Sequence, residues 1–475
     1  MKTVNKYILA LGLLMGSACS KVDDQTPYVA IDPEQIFSDP ARIEKAALGM
    51  YNALQNAEFF GGRVLIYADQ RGNDVNVSAF FGNTGSFNIL SGDVTVVLNC
   101  WTGGYRTIYE ANLFMKKLLK NEAVVGTPKA TQYYAEAKFI RALCYFYLVN
   151  LYAQPYNFSA DASHVGVPLI IDAAEDGAQA LSAANKVKRN TVKEVYDQMI
   201  KDLTEASAAL TPNWNDAYFN RARATKAAAD GLLARVYLYK GDWINANTSA
   251  DAVIASPLAF KLATEPIDNW TFANMNATVE RIFSVAMNSA DNPNTNNAIG
   301  QHYSPLGRGD ISINTAGYFA LPNFSVTDKR RVSPMIRTSG TLSYTGKYYN
   351  NPREQWVPVL RLAEIKLIKA EAMARLDPLV SAGALTQLQD IRTIRGASVI
   401  VPPVTQAQLI TLILDERRME LAFEGFGVMD FLRTGRPIPA RPQHLIQNPG
   451  TDYVVLPIPL QETQRNDQLA QNKGY

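Results

Sequence analysis

The chain has 475 residues, 47% hydrophobic and 19% charged, and its 46 Lys plus Arg nearly balance 44 Asp plus Glu. Such a composition argues against disorder and supplies a large core, while the lack of a clustered Lys/Arg run removes the electrostatic case for nucleic acid. Three His and three Cys, with no HExxH and no paired CxxC spacing, leave a catalytic zinc site or a disulfide scaffold poorly supplied.

In chain order, Lys2 and Lys6 precede an apolar run from Tyr7 to Met15. The run is too short to span a bilayer and has the length of a signal-peptide core. Gly16, Ser17 and Ala18 lead into Cys19, in the pattern of a bacterial lipobox. Residues 1–18 therefore read as a signal peptide, Cys19 as the lipidated start of the mature chain, and residues 19–38 as its tether. No later apolar run approaches the ~20 residues of a transmembrane helix, so lipid is the expected membrane attachment. At about 0.8 kcal/mol per buried methylene, several acyl chains on one Cys would be a lasting anchor.

From residue 39 to residue 475 the chain reads as one mainly α-helical unit. Apolar residues at Ala135, Phe139, Ala142, Phe146 and Val149 alternate steps of four and three, which places them on one face of a helix over Thr131–Leu151. Further helical segments are expected at Asn99–Lys120, Thr191–Leu210, Thr225–Lys240, Trp243–Ile254, Gln355–Leu376, Leu385–Arg395 and Gln406–Arg433. Gly241 between two of them predicts a left-handed C-cap, and the pair reads as a tetratricopeptide-like hairpin, though the irregular spacing excludes a regular 34-residue array. Phe59–Val97 and Leu258–Gln355 are rich in Gly, Asn, Ser, Thr, Pro and aromatics, and read as loop-rich functional segments. A short strand is expected within Arg281–Ala286.

These pieces resemble the SusD/RagB family of outer-membrane lipoproteins in Bacteroidetes. Trp101, Tyr105, Ile108, Ala111 and Asn112 fit its early helix, and Ala135 through Leu143 its alanine-rich central one. The run Asp415-Glu416-Arg417-Arg418-Met419-Glu420-Leu421-Ala422-Phe423-Glu424-Gly425 fits the family hallmark, and Leu456-Pro457-Ile458-Pro459 through Tyr475 fits the family terminus. The chain departs from the pattern at Gly427, Thr434 and Lys473, where Arg, Trp and Pro are usual. Asp23-Asp24 behind Cys19 resembles the signal that sends Bacteroidetes lipoproteins to the cell exterior. The resemblance implies a binding protein, not an enzyme. It would capture an oligosaccharide or similar nutrient and close over a SusC-like TonB-dependent transporter.

The residues also bear a reading of their own. Glu416, Glu420 and Glu424 recur every four residues, near Arg417, Arg418, Asp430 and Arg433. A carboxylate row can be acid/base machinery, but without a nucleophile or metal ligand an ion-pair network that fixes packing is the stronger expectation. Arg308-Gly309-Asp310 reads as a chance tripeptide in a loop. The Asn-rich stretch after Asp291 lacks the glycine and final glutamate of an EF-hand, so nothing supports bound calcium, and no cofactor is expected. His164, His302 and His444 read as ordinary polar or packing residues, and Cys100 and Cys144 as two buried thiols.

A sugar offers an apolar C–H face and a hydroxylated edge, so its site calls for exposed aromatics flanked by amides, carboxylates or guanidinium groups. Asp69, Arg71, Asn73 and Asp74 precede the adjacent pair Phe80 and Phe81, and Trp270, Tyr303 and Tyr348 lie in the later loop-rich segment. These nine are the expected ligand-binding residues. Two neighbouring rings cannot both easily face inward, so at least one of Phe80 and Phe81 should be exposed. Trp101 and Trp356, on or beside helices, should be core. Two alternatives remain open. A surface-anchored α-helical glycan-degrading enzyme would show two carboxylates facing across a cleft at roughly 5–9 Å. A helical-repeat scaffold for other proteins would show a large apolar concave face.

Overall fold

The computed structural model describes residues 33–76, 78–182, 186–271, 278–294, 296–350 and 353–475. The signal peptide, Cys19, and the tether as far as residue 32 lie outside them. The principal helices are α1 (Pro40–Leu54), α2 (Arg63–Gln70), α3 (Asn99–Leu119), α4 (Thr127–Tyr152), α5 (Val192–Ala209), α6 (Lys226–Lys240), α7 (Trp243–Ile254), α8 (Leu362–Leu376), α9 (Ala382–Ile394), α10 (Gln406–Leu421) and α11 (Gly427–Arg433). They stack largely in chain order: α3 on α4, α4 on α5, α5 on α6, α6 on α7, α7 on α8, and α8 on α9 and α10. This is the tetratricopeptide-like arrangement expected from the sequence.

Local chemistry sets the helix ends. Thr191 and Glu194 form a reciprocal capping box at the start of α5. Gly241, at φ 80°, closes α6 in the left-handed conformation, and Asp242 then caps α7. The central helix α4 is buried nearly all round, not on one face alone, because α1, α3, α5 and α6 all pack on it. Where no water remains, its polar residues must find partners. Arg141 donates to Asp202 of α5 at 2.7 Å and to Asn112 of α3 at 2.7 Å, tying three helices together. Close approach is made possible at Gly104, where a Cβ would sit 2.9 Å from a methyl of Leu148. The C-terminus folds back on the end of α4, with the Asn472 amide donating to the carbonyls of Tyr152 and Leu456.

Three expectations need correction. The helix read over Gln355–Leu376 begins as a strand, β4 (Val357–Arg361), before turning into α8. Val357 and Val359 favour a pleated surface and Pro358 resists a helix interior. The strand pairs antiparallel with β1 (Arg281–Val285), the strand expected from alternation. Strands β2 (Ile336–Ser339) and β3 (Leu342–Thr345) form a separate hairpin. The segment Gln406–Arg433 is two helices, because Phe423 and Gly425 take φ values of 71° and 83° that end α10. A Cβ on Gly425 would lie 2.4 Å from Leu65, so this break lets α2 pack underneath. Finally, α2 itself lies in a stretch read as irregular. All eight of its residues are buried, and one turn of apolar periodicity between glycines is too short to distinguish from loop.

Candidate functional site

The hallmark carboxylates lie inside the protein, each met by cations from distant elements. Arg330 pairs with Glu416 at 2.6 Å and Glu420 at 2.9 Å. Arg361 pairs with Glu420 at 2.6 Å, Glu424 at 2.8 Å and Glu280 at 2.8 Å. Arg395 joins Glu280 to Glu420, and Lys347 meets Glu424 at 2.6 Å. Burial alone would push the Glu420 carboxyl up, but Arg395, Arg361 and Arg330 together hold it well below the usual carboxylate range. These carboxylates are occupied as ion-pair partners in the core. The expected neighbours form a second cluster: Arg417 and Arg433 both grip Asp430, at 2.8 and 2.6 Å. The cations that close the Glu row, Arg330, Arg361 and Arg395, are separated from it in sequence and were not expected.

Of the nine residues expected to bind ligand, eight are buried and one is exposed. Asp69 accepts from the Gly425 amide at 3.1 Å and from the Tyr303 hydroxyl at 2.8 Å. It has no cation beside it, and burial pushes its carboxyl up to about 7. Gly427 packs directly over it: a Cβ there would lie 3.0 Å from the Asp69 Cα. Tyr303 stacks beside Tyr348 at 5.3 Å, and Trp270 meets Tyr348 edge-on at 5.5 Å. Arg71 donates to the Tyr453 carbonyl, Asn73 receives Asn314 on its carbonyl, and Asp74 pairs with Arg418 at 2.6 Å. The fold thus brings these residues together, but as interior scaffold. They are not the exposed platforms expected of Trp270, Tyr303 and Tyr348. Trp101 and Trp356 are buried, and Cys100 and Cys144 are buried free thiols, as read from the sequence.

Phe80 is the exception. It sits on a single 3-10 turn, Ala79–Phe81, capped by the Ser78 hydroxyl. One ring of the pair does face outward: Phe80 is 41% exposed while Phe81 is 4% exposed. Phe81 braces Phe80 edge-on at 5.0 Å, and His302 lies beneath both rings. The Arg308 guanidinium lies 4.1 Å from the Phe80 ring centre, and Asp310 holds it by accepting from Nε at 2.7 Å while also bonding His302 Nδ1 at 2.9 Å. Burial pushes the His302 pKa down, against the pull of Asp310. Arg308 and Arg63 reach Asn296 and Asn297, which adds amides at the edge. The result is a partly exposed ring with the Arg308 guanidinium over its face and amide groups at its edge. Arg308, dismissed in the tripeptide reading, is its missed member. Only the paired Arg-x-Asp spacing hinted at it. Among the described residues no group of three or more His, Cys, Asp or Glu could hold a metal ion.

Comparison with known proteins identifies the family. Residues 24–238 match a SusD-like family model described as starch-binding associating with outer membrane, and residues 325–475 match the SusD family model. A solved SusD superfamily protein from Bacteroides fragilis is 30% identical, with a TM-score of 0.78 over 91% of this chain and 99% of its own. The chain belongs to the SusD/RagB family. A putative sugar binding protein from Bacteroides vulgatus superposes with the same TM-score at 25% identity, covering 92% of this chain and 99% of its own. The SusD-like protein P2 of Formosa agariphila is 28% identical over 99% of both chains. Departures from the family pattern at Gly427, Thr434 and Lys473 are local. Gly427 fits the tight contact with Asp69, Thr434 bonds the Asp430 carbonyl at the end of α11, and Lys473 is exposed at the terminus.

Proposed function

We propose that this chain is a cell-surface lipoprotein, anchored through Cys19, that binds an oligosaccharide and delivers it to a SusC-like TonB-dependent transporter. The observation that carries the binding reading is the Phe80–Arg308 pair. It is an exposed ring held rigid by Phe81 and His302, with donors fixed beside it. A sugar's C–H face can stack on such a ring while its hydroxyls meet the guanidinium and neighbouring amides. Membership in a family described as starch-binding and outer-membrane-associated supports the same reading. Binding is favoured over glycan cleavage because Glu416, Glu420 and Glu424 are neutralised in the core, and the cavity that Glu420 lines, about 10 Å³, is too small for a sugar. The family likeness supports delivery to a transporter. It is tested by gentle detergent extraction of cells carrying the intact chain. A TonB-dependent barrel encoded beside it should co-purify, and Cys19→Ala should leave the protein soluble or unprocessed. Recovery of the lone chain, or of membrane-bound Cys19→Ala at normal level, would refute the partner and the anchor respectively.

A further inference from the structure

A cavity is bordered by Asp291, Asn292 and Pro293, in the loop after β1 whose Asn296 and Asn297 meet Arg308 and Arg63. It is a trough of about 620 Å³ between α1 and α3, within the size range of small-ligand sites. Its apolar floor holds Phe37, Phe114 and Met50, the two rings 5.9 Å apart. Asn52 projects from α1 into one wall, and Arg106 and Glu110, one turn apart, project from α3 into the other. None of the three has a side-chain partner among the described residues. A second cavity of about 250 Å³ shares Asn52, Gln55 and Asp291 with the first and ends at Tyr218, a ring 40% exposed and edge-on to Trp356 at 5.2 Å. Gln55 donates to Asp291 at 3.2 Å and to the Ala286 carbonyl at 2.7 Å, fixing the loop at the shared point. The two cavities are therefore one track with a fixed middle.

The chemistry of that track selects its occupant. Arg106 and Lys117 offset Glu110 and Asp291 along its walls, so the trough has no net charge with which to draw a phosphate or a polyuronate. A purely apolar ligand would strand Asn52, Arg106 and Glu110 without hydrogen bonds. A neutral polyol chain satisfies both conditions, with C–H faces on the floor and on Tyr218 and hydroxyls on the amide, guanidinium and carboxylate groups. Asp291 in the trough belongs to the same loop after β1 as Asn296 and Asn297, which brace Arg308 and Arg63 at the Phe80 edge. We infer that the α1–α3 trough is a second carbohydrate subsite, for a neutral chain that runs past the loop after β1 from the Phe80 edge. It rests on the glycan-binding reading and adds to it a length and a charge preference.

Gly49 offers a plug. It lines the trough from mid-helix, nothing lies within 4 Å of the place its Cβ would occupy, and Phe has a better helix propensity than Gly. The test titrates maltoheptaose, laminariheptaose and xyloheptaose, and the trisaccharide of each series, into the detergent-solubilised full-length protein, beside melting curves. The heptaose that binds should be weakened about tenfold or more by Gly49→Phe, and its trisaccharide by less than about twofold. The double variant Arg106→Ala/Glu110→Ala should reproduce the loss by removing polar partners without filling the trough, and decides the matter if Gly49→Phe melts early. Heptaose binding that is abolished by Phe80→Ala but unchanged in both trough variants overturns the subsite and leaves the glycan reading standing. Absence of binding by all three heptaoses to the unaltered protein overturns both.

Discussion

The Glu420 cluster and the Phe80 edge use the same groups, guanidinium, carboxylate and aromatic ring, for different ends. Around Glu420 the charges are closed off from water and satisfy one another: Arg330, Arg361 and Arg395 converge on one carboxylate, and Trp270 lies within 6.0 Å of Arg361. At Phe80 one carboxylate, Asp310, holds one guanidinium, and the ring and donors that remain face solvent. Capacity left over after the fold is satisfied is what a ligand can use. The comparison also separates two kinds of consequence. A buried partner removed leaves uncompensated charge, whereas an exposed ring removed takes away contact area and little else.

The largest effect should come from breaking the buried side. Glu420→Ala leaves three guanidinium groups short of a counter-charge, and should cost about 3–5 kcal/mol, read as a collapse of the urea midpoint or failure to fold. A midpoint near that of the unaltered protein would mean that water or neighbouring carboxylates can replace Glu420. Next comes Phe81→Ala, which empties a core position beside Tyr67 and His302. It should lose about 3 kcal/mol or more, measured by the same titration, although Phe81 is adjacent to the exposed ring.

A smaller effect sharpens the contrast through pH. Asp69 has no cation, and burial lifts its folded-state pKa to about 7, above an unfolded value of about 3.9. Its contribution to stability is therefore fully present below about pH 4 and is lost as pH rises through about 7. Tyr303, the Gly425 amide and Asp74 are the groups that face it. Asp69→Asn keeps an acceptor and removes the charge, so it should be the more stable protein at pH 8, with the advantage shrinking toward pH 4. The difference at pH 8 should be on the order of 1 kcal/mol or more. Parallel melts from pH 4 to pH 8 that stay a constant distance apart would show that Asp69 does not titrate in this window. Glu420 and Glu424 do not obscure it, because their cations hold them below their usual range and they lose their contribution only at lower pH.

Much of the scaffold was legible because helical periodicity and caps are local. Trp243–Ile254 was read with its observed bounds, and the Gly241 turn adopted the expected conformation. The ion-pair reading of the Glu row was legible for a similar reason, since one helix sets the spacing of Glu416 and Glu420. Its partners were not legible, because Arg330, Arg361 and Arg395 reach it by tertiary packing alone. The same limit applies to the ligand residues. Asp69, Arg71, Asn73 and Asp74 had the polar character expected of a site, but the short helix α2 and the break at Phe423 to Gly425 close over them. Adjacency did yield one sound inference at Phe80 and Phe81, since it depends only on two rings that cannot share one inward direction. Arg308 needed the fold, which carries it onto Phe80 from a loop more than two hundred residues away in sequence.

The central claim is that leftover capacity at an exposed edge, not the buried polar core, binds the ligand. Phe80→Ala tests it most directly, by calorimetric titration of the cognate oligosaccharide beside a melting curve. Stacking that removes ~100 Å² of apolar surface contributes about 2.5 kcal/mol before ordering costs. The affinity should therefore fall about tenfold or more while the melting temperature stays within about 2 °C. Unchanged affinity, or a melting temperature that drops as far as that of Phe81→Ala, would contradict the claim.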